Sequence, residues 1–298
     1  MLITPVPGVK AETLRSTLTH VRNTLTKVQP SGPEAAAERA CRYLEWVHEA
    51  RRLLRRQIRP AELEYLLPSQ YYEVVLTAIA ARAASTYPAS EGVLNGLVAM
   101  QLEERGEAFD AALSDLEKQI QRFQQQQRDA ELVVLDTNIY MHHPQKLEDI
   151  DLAGELHLSN ADIHILVPLV VIDELDKGKR AGGDRGYRAA YAVSYIDKIA
   201  QAGGRIRPGH LSSEGHPRGK VTVEVVLDPP GHARLPNNDD EIVARAVDIQ
   251  TLAGRPIRLV TYDVKMRMRG RDAGLRVDKL EEPEKDEKPS RRRRRDAD

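Results

Sequence analysis

Along residues 10–128 the apolar positions recur at steps of three and four, the period of α-helices that each bury one face. Leu14, Leu18, Val21, Leu25 and Val28 form the first seam. Pro30 closes it, and Ser31 with Glu34 offers a capping box for the next helix. That helix carries Ala40, Tyr43, Leu44, Val47, Leu54 and Ile58 on one side until Pro60. Pro68 and Pro88 punctuate later helices with Val75 and Ile79, then Leu94, Leu97 and Val98. Leu102, Phe109, Leu113, Leu116, Ile120 and Phe123 then follow a heptad, interrupted in its seam by Gly106. The pattern predicts an all-α N-terminal domain over residues 1–128, packed as a bundle. The heptad offers the alternative of a seam for a homo-oligomer, since an isolated amphipathic helix needs a partner. The run Gln124 to Gln127 reads as the end of this region and as a hinge.

At Glu131 the period changes. Leu132, Val133, Val134 and Leu135 form a short apolar run ending at Asp136, the mark of a buried parallel strand. Ile163 to Val167 repeats it and leads through Pro168 into a helix over Val170 to Lys177. A longer helix is expected from Asp184 to Gln201, a strand over Val221 to Leu227 and a helix over residues 238–253. Ile257 to Thr261 then predicts a strand, and Leu275 to Val277 closes the series. Strands and helices alternating at these lengths predict an α/β domain with a largely parallel sheet, residues 129–280. Beyond it, Glu281 to Asp298 holds almost no apolar residue and cannot offset its own ordering entropy, so a disordered tail is expected. Its block Arg291 to Arg295 suits phosphates or simple solubility.

Composition removes several classes. One cysteine, Cys41, excludes a disulfide framework and a thiolate metal site within one chain. Met1 to Lys10 has no apolar core for a signal peptide, and no window suits a membrane span, so a cytoplasmic protein is expected. Residues 1–130 carry 16 basic and 16 acidic side chains against 28 and 29 in the rest, so neither half is a polycation. Contact with nucleic acid must come from local patches.

The acids after residue 130 say more. In open parallel sheets the carboxyl ends of the strands converge on one rim, where ligands bind. Asp136 ends the first strand in VVLDTN, and Asp263 follows a later one in LVTYD. Glu174 lies one turn into the helix after the second strand, and Asp239 and Asp240 open the helix before the Asp263 strand. Each has a bland alternative: Asp136, Asp239, Asp240 and Asp263 as helix N-caps, Glu174 as a partner for Lys177. Four on one rim, however, raise each other's cost of ionisation, and a divalent cation relieves it. Carboxylates with water suit Mg2+ or Mn2+.

In this setting LDTN, VIDELDK, NDDEIVARA and VTYD resemble the four acidic motifs of PIN domains, over about residues 131–280. The version is similar to the long type fused to PhoH-like ATPases. The resemblance implies a Rossmann-like parallel sheet sandwiched by helices and a metal-dependent nuclease, mostly of RNA. It implies Asp136, Glu174, Asp239 and Asp263 as the catalytic and metal-binding set. Thr137, Asn138, Arg188 and Lys265 become substrate contacts, Arg188 as a basic position on the following helix. The doublet Asp239–Asp240 leaves the third acid open; Asp239 is preferred because it stands three before Ile242. Arg205 to Pro236 is longer and richer in Gly, Pro and His than a compact domain requires, and residues 1–128 have no counterpart in the resemblance. The expected partner is nucleic acid, probed by Lys177, Lys179, Arg180 and Arg185 and by the basic residues that follow Asp263. Tyr140, Tyr187 and Tyr262 neighbour the motifs and either stack on bases or pack on helices.

Other readings fare less well. An aspartyl-phosphate phosphatase needs a second acid two residues after the first, where Asn138 stands. The pairs Gly178–Lys179 and Gly219–Lys220 continue as Arg180 and Val221, which is not a phosphate-cradling P-loop. His142, His143, His210, His216 and His232 show no HExxH spacing for zinc. A non-cleaving RNA- or protein-binding module gains nothing from four clustered acids, and a toxin-type ribonuclease does not need the helical half.

Overall fold

The heptad of the first half closes on other helices of the same chain. The computed structural model describes residues 3–28, 36–83, 89–126, 129–158, 160–212, 215–229 and 231–280. Its first half contains α1 (Ala11–Thr24), α2 (Ala36–Leu54), α3 (Pro60–Leu66), α4 (Ser69–Ala83) and α5 (Ala89–Ile120), the last running into a π-helical turn, Gln121–Gln126. Phe109, Leu116 and Phe123 of the seam are buried to 1% exposure or less. They face α1 and α2, where the Trp46 ring meets Phe109 edge-on at 5.9 Å between centroids. A Cβ on Gly106 would sit 3.7 Å from the side chains of Arg22 and Leu25, ordinary contact distance, so the break in the heptad lies where α1 comes close. A dimer is therefore not required to bury this seam. The expected cap at Ser31 and Glu34 lies outside the described residues.

The second half is the α/β unit that the period change predicts. Its elements are β1 (Ala130–Leu135), α6 (Thr137–His142), α7 (Leu152–Glu155), β2 (Asp162–Pro168), α8 (Leu169–Gly178) and α9 (Gly183–Gln201). There follow β3 (Arg205–Arg207), β4 (His210–Leu211), β5 (Pro217–Arg218), β6 (Val221–Val226), α10 (Asn238–Ala253), β7 (Arg258–Thr261), α11 (Val264–Asp272) and β8 (Arg276–Lys279). The main sheet runs β3-β6-β2-β1-β7-β8. All its pairings are parallel except β3 with β6. Central β1 and β2 are buried on both faces, which is why their sequences do not alternate. The glycine- and proline-rich insert forms edge strand β3 and the small β4–β5 hairpin. Gly204, with φ +74°, turns the chain into that edge; a Cβ there would lie 2.4 Å from the Val223 carbonyl oxygen.

One hydrophobic core runs through both halves. The glutamine run, read above as a hinge, is instead a point of attachment: Gln124 Nε2 donates to the Leu252 carbonyl of α10 at 2.8 Å. Arg122 donates to Glu224 of β6 at 2.8 Å, and His164 of β2 contacts the other oxygen of that carboxylate at 3.1 Å. Further along α10, buried Asp248 is held between Arg59 of the helical half and Arg245, the latter at 3.0 Å. No described helix is long and apolar enough to cross a membrane. The tail with Arg291 to Arg295 lies outside the described residues.

The Asp248 triad gives a first prediction. Arg59→Ala removes one of two cations from a buried carboxylate. The expected cost is about 1–2 kcal/mol, less than for a wholly buried pair because Arg59 is partly in water and Arg245 remains. Asp248→Asn in the same background should recover part of it. Urea denaturation of the four members of the cycle measures the coupling, and additive effects would show that the contact does not join the halves.

Candidate active site

The chain steps from β1 outward to β2 and β6, then returns to the other side of β1 for β7 and β8. In such sheets the crevice at the carboxyl ends of the strands flanking the reversal is the ligand site. Here those strands are β1 and β7, and each is followed by one of the expected acids. Asp136 succeeds β1 and is 2% exposed. Thr261, the last residue of β7 and fully buried, donates its hydroxyl to Asp136 Oδ2 at 2.8 Å and accepts the Asp263 N–H at 2.9 Å. One hydroxyl thus ties both strand ends together.

The other two acids arrive on helices. Glu174, in α8, accepts one hydrogen bond from the Thr137 hydroxyl and another from Asn238 Nδ2 at 2.9 Å. Asp239 opens α10, but its backbone N–H is capped by Asn237 Oδ1 at 2.8 Å, so Asn237 and not Asp239 is the N-cap. Freed from capping, Asp239 lines a cleft of about 360 Å3 together with Asp136, Glu174, Thr137 and Asn138. Asp240 is outside that lining; Arg269 lies 3.0 Å from it and 3.5 Å from Asp239. This geometry favours Asp239 as the acid of the cleft. Asp263 behaves differently: its Oδ1 caps α11, accepting from Lys265 N at 2.5 Å and Met266 N at 3.3 Å.

Electrostatics mark the cluster. Burial pushes the Asp136 carboxyl up to about 6; the Thr261 hydrogen bond opposes this, and the charge of Asp239 adds to it. Asp239 is also raised, first by burial, with Arg269 opposing and Asp263, Glu174 and Asp240 all adding to the rise. The acids from the four motif segments therefore act on one another. Among the described residues, the group that brings three potential ligand atoms within 4.8 Å of one another is Asp228, His232 and Glu241, not the cleft acids. No three of the cleft acids come that close among the described residues, while an all-oxygen donor set in an open cleft fits a hard divalent cation. In the other group, His232 contacts Glu241 at 2.7 Å and Arg234 contacts Asp228 at 2.7 Å, which fastens the loop before α10.

The family comparison belongs to this geometry. The PIN-domain family model matches residues 133–281, half of the chain. The chain belongs to the PIN-domain family. Members are in general metal-dependent nucleases, which agrees with the acids at the rim. The match is to the PIN domain as such and does not reach the long subtype. No curated protein matches. Among solved structures, the chain is similar to one described as a domain of a functionally unknown protein from Methanocaldococcus jannaschii DSM 2661. The identity is 19% and the TM-score 0.34, over 52% of this chain and 95% of that one.

Not every expected contact of this PIN domain reaches the cleft. Arg188 points elsewhere: it pairs with Asp184 at 3.1 Å and donates to the carbonyls of His143 and Pro144, bracing the loop after α6. Lys265 is exposed and outside the cleft lining. The cations that do line it are Lys177 and Arg185, both exposed and without an ion pair among the described residues. Thr261 and Asn238 were not expected at all. Both are short polar residues at element ends, a position that sequence alone assigns to turns.

A second prediction concerns metal-free stability. An acid whose folded pKa is raised holds its proton more tightly when folded, so its contribution to stability falls as pH rises from about 4 to 6. For Asp136 the cost at pH 7 is up to about 3 kcal/mol. Asp136→Asn in chelator should therefore be more stable than the wild type at pH 7, with the gain disappearing near pH 4. Denaturant midpoints of both proteins over that range test it. A variant less stable at pH 7 than the wild type would show that Asp136 serves only local structure.

Proposed function

We propose that this PIN-domain protein is a Mg2+- or Mn2+-dependent endoribonuclease acting on single-stranded RNA. The observation that carries the reading is the cleft itself. Asp136, Glu174 and Asp239 line it from three chain segments, and Asp263, outside that lining, adds with Glu174 to the rise of Asp239, whose charge in turn adds to the rise of Asp136. Asp136, Asp239, Asp263 and Glu174 would hold the ion. When bound, such an ion lowers the pKa of a coordinated water and stabilises charge on phosphoryl oxygens.

The chain's own groups do the rest. Thr261 fixes Asp136, and Thr137 with Asn238 fixes Glu174, so the acids keep their orientation without being neutralised. Glu174, oriented by hydrogen bonds from neutral donors on both oxygens, serves to accept a proton from the attacking water. Asp263 keeps its second oxygen available while the first caps α11. Lys177 and Arg185, at the cleft wall, bind the phosphates on either side of the scissile one; their charge offsets the repulsion between an RNA backbone and an acidic crevice. Asn138, whose amide lies 3.4 Å from Asp136 Oδ2, is placed to donate to a phosphate oxygen. A cleft open to solvent on this scale suits an unpaired strand.

End-labelled single-stranded RNA, with single-stranded DNA of the same sequence as comparison, tests the proposal. Cleavage should require Mg2+ or Mn2+ and cease in chelator. Asp136→Asn and Asp239→Asn should each lower turnover by at least about a hundredfold, as losing a metal ligand or its orientation does. Mg2+ should raise wild-type stability by about 2.7 kcal/mol at a hundredfold excess over its dissociation constant, and the Asn variants should lose most of that gain. An intact wild type that neither cuts nor gains stability with either metal overturns the reading.

A further inference from the structure

Behind the wall of the acid cleft lies a second, more apolar pocket of about 140 Å3. The same two elements build both. Thr137, Asn138 and Met141 of α6 face the cleft while Ile139 and Tyr140 face the pocket. Arg185 of α9 lines the cleft while Asp184, Tyr187 and Arg188 line the pocket. The cleft and the pocket therefore share α6 and α9 as walls.

One wall of the pocket is a ladder of tyrosines at helical spacing. Tyr187 and Tyr191 have ring centroids 6.3 Å apart, and Tyr191 and Tyr195 are 6.1 Å apart and nearly parallel, at 7°. Tyr191 is pinned by its hydroxyl to Glu148, and Lys146 Nζ lies 4.1 Å over its ring. The ladder does not end in the core: its outermost ring, Tyr187, is 60% exposed and stands on the first turns of α9, the helix that also carries the cleft-lining Arg185. Tyr140, which also lines the pocket, keeps a buried hydroxyl with no hydrogen-bond partner among the described residues.

From these features we infer that Tyr187, with Tyr191 and Lys146 behind it, is a stacking platform for an unpaired base of the strand whose phosphate occupies the acid cleft; the inference rests on the nuclease reading above. An exposed ring backed by a tilted neighbour, at 33°, presents a flat face to solvent, and every base offers a π-face to it. Lys146, seated over the neighbouring Tyr191 ring, supplies a cation for the flanking phosphate. Stacking of this sort tolerates any sequence, so the platform selects single strands over duplexes rather than one base over another.

The test is binding, measured apart from cleavage. Fluorescence anisotropy in chelator compares a labelled single-stranded RNA with a strand of the same length that carries abasic sites. The wild type should prefer the base-bearing strand. Tyr187→Ala should weaken that binding by about five- to a hundredfold, with little change for the abasic strand, and Tyr187→Trp should restore it. A wild type indifferent to the bases, or a Tyr187→Ala protein that binds the base-bearing strand as the wild type does, overturns the platform. The two readings fail separately. Base-dependent binding through Tyr187 without any Mn2+-dependent cutting would remove the nuclease and keep the platform, whereas cutting without base-dependent binding would do the reverse.

Discussion

Everything in the second half is arranged around a repulsion. Carboxylates gathered at the ends of β1 and β7 disfavour one another's charge, and the fold must keep them close without cancelling it. It does so with neutral donors. Thr261, Thr137 and Asn238 hold Asp136 and Glu174 by hydrogen bonds that fix direction but add no positive charge. A lysine or arginine in their place would satisfy the acids permanently and leave no affinity for a cation. The guanidinium nearest the cluster, Arg269, lies between Asp239 and Asp240 and draws charge only from the edge. The cations of the opposite wall, Lys177 and Arg185, stay free of the acids and face the space a phosphate backbone would fill. Keeping the two signs apart costs stability in the empty protein, the usual price of a site built for chemistry.

Much of this was legible in the sequence because the strongest signals were local. Apolar runs too short for helices, each ending at an acid, specify buried strands and place Asp136 and Asp263 at their carboxyl ends. The length of α9 and the start of α10 follow from periodicity. What was hidden depends on rotation and on contacts distant in sequence. Arg185 and Arg188 share one side of α9, one turn apart, yet the first lines the acid cleft while the second bonds the His143 carbonyl and pairs with Asp184. Nothing in a basic helix face tells which way it will be turned. Thr261 reads as one more β-branched strand residue until β7 is known to lie beside β1. The elements β3, β4 and β5 span three residues or fewer, below any periodic signal. The heptad was legible as a seam but not as to its partner, because α1 and α2 present the same apolar chemistry as a second copy would.

The helical half has no residue in the cleft lining, yet it bears on the cleft through α10. This helix is 16 residues long, about 24 Å at 1.5 Å per residue. Its first turn carries Asn238 and Asp239 into the site, while its later turns are bonded to the first half at Asp248 and Leu252. A helix of that length transmits position along its axis, since its own hydrogen bonds resist bending. Where α10 lies along that axis decides how far Asp239 stands from Asp136, and whether Asn238 reaches Glu174. The bonds of Arg59 and Gln124 both fall on α10, and Arg122 to Glu224 fixes the strand next to β2. The first half thus bears on the spacing of the acids from the side of the sheet where no acid is found. The helix that carries Asp239 rests on packing that residues 133–281 do not themselves supply.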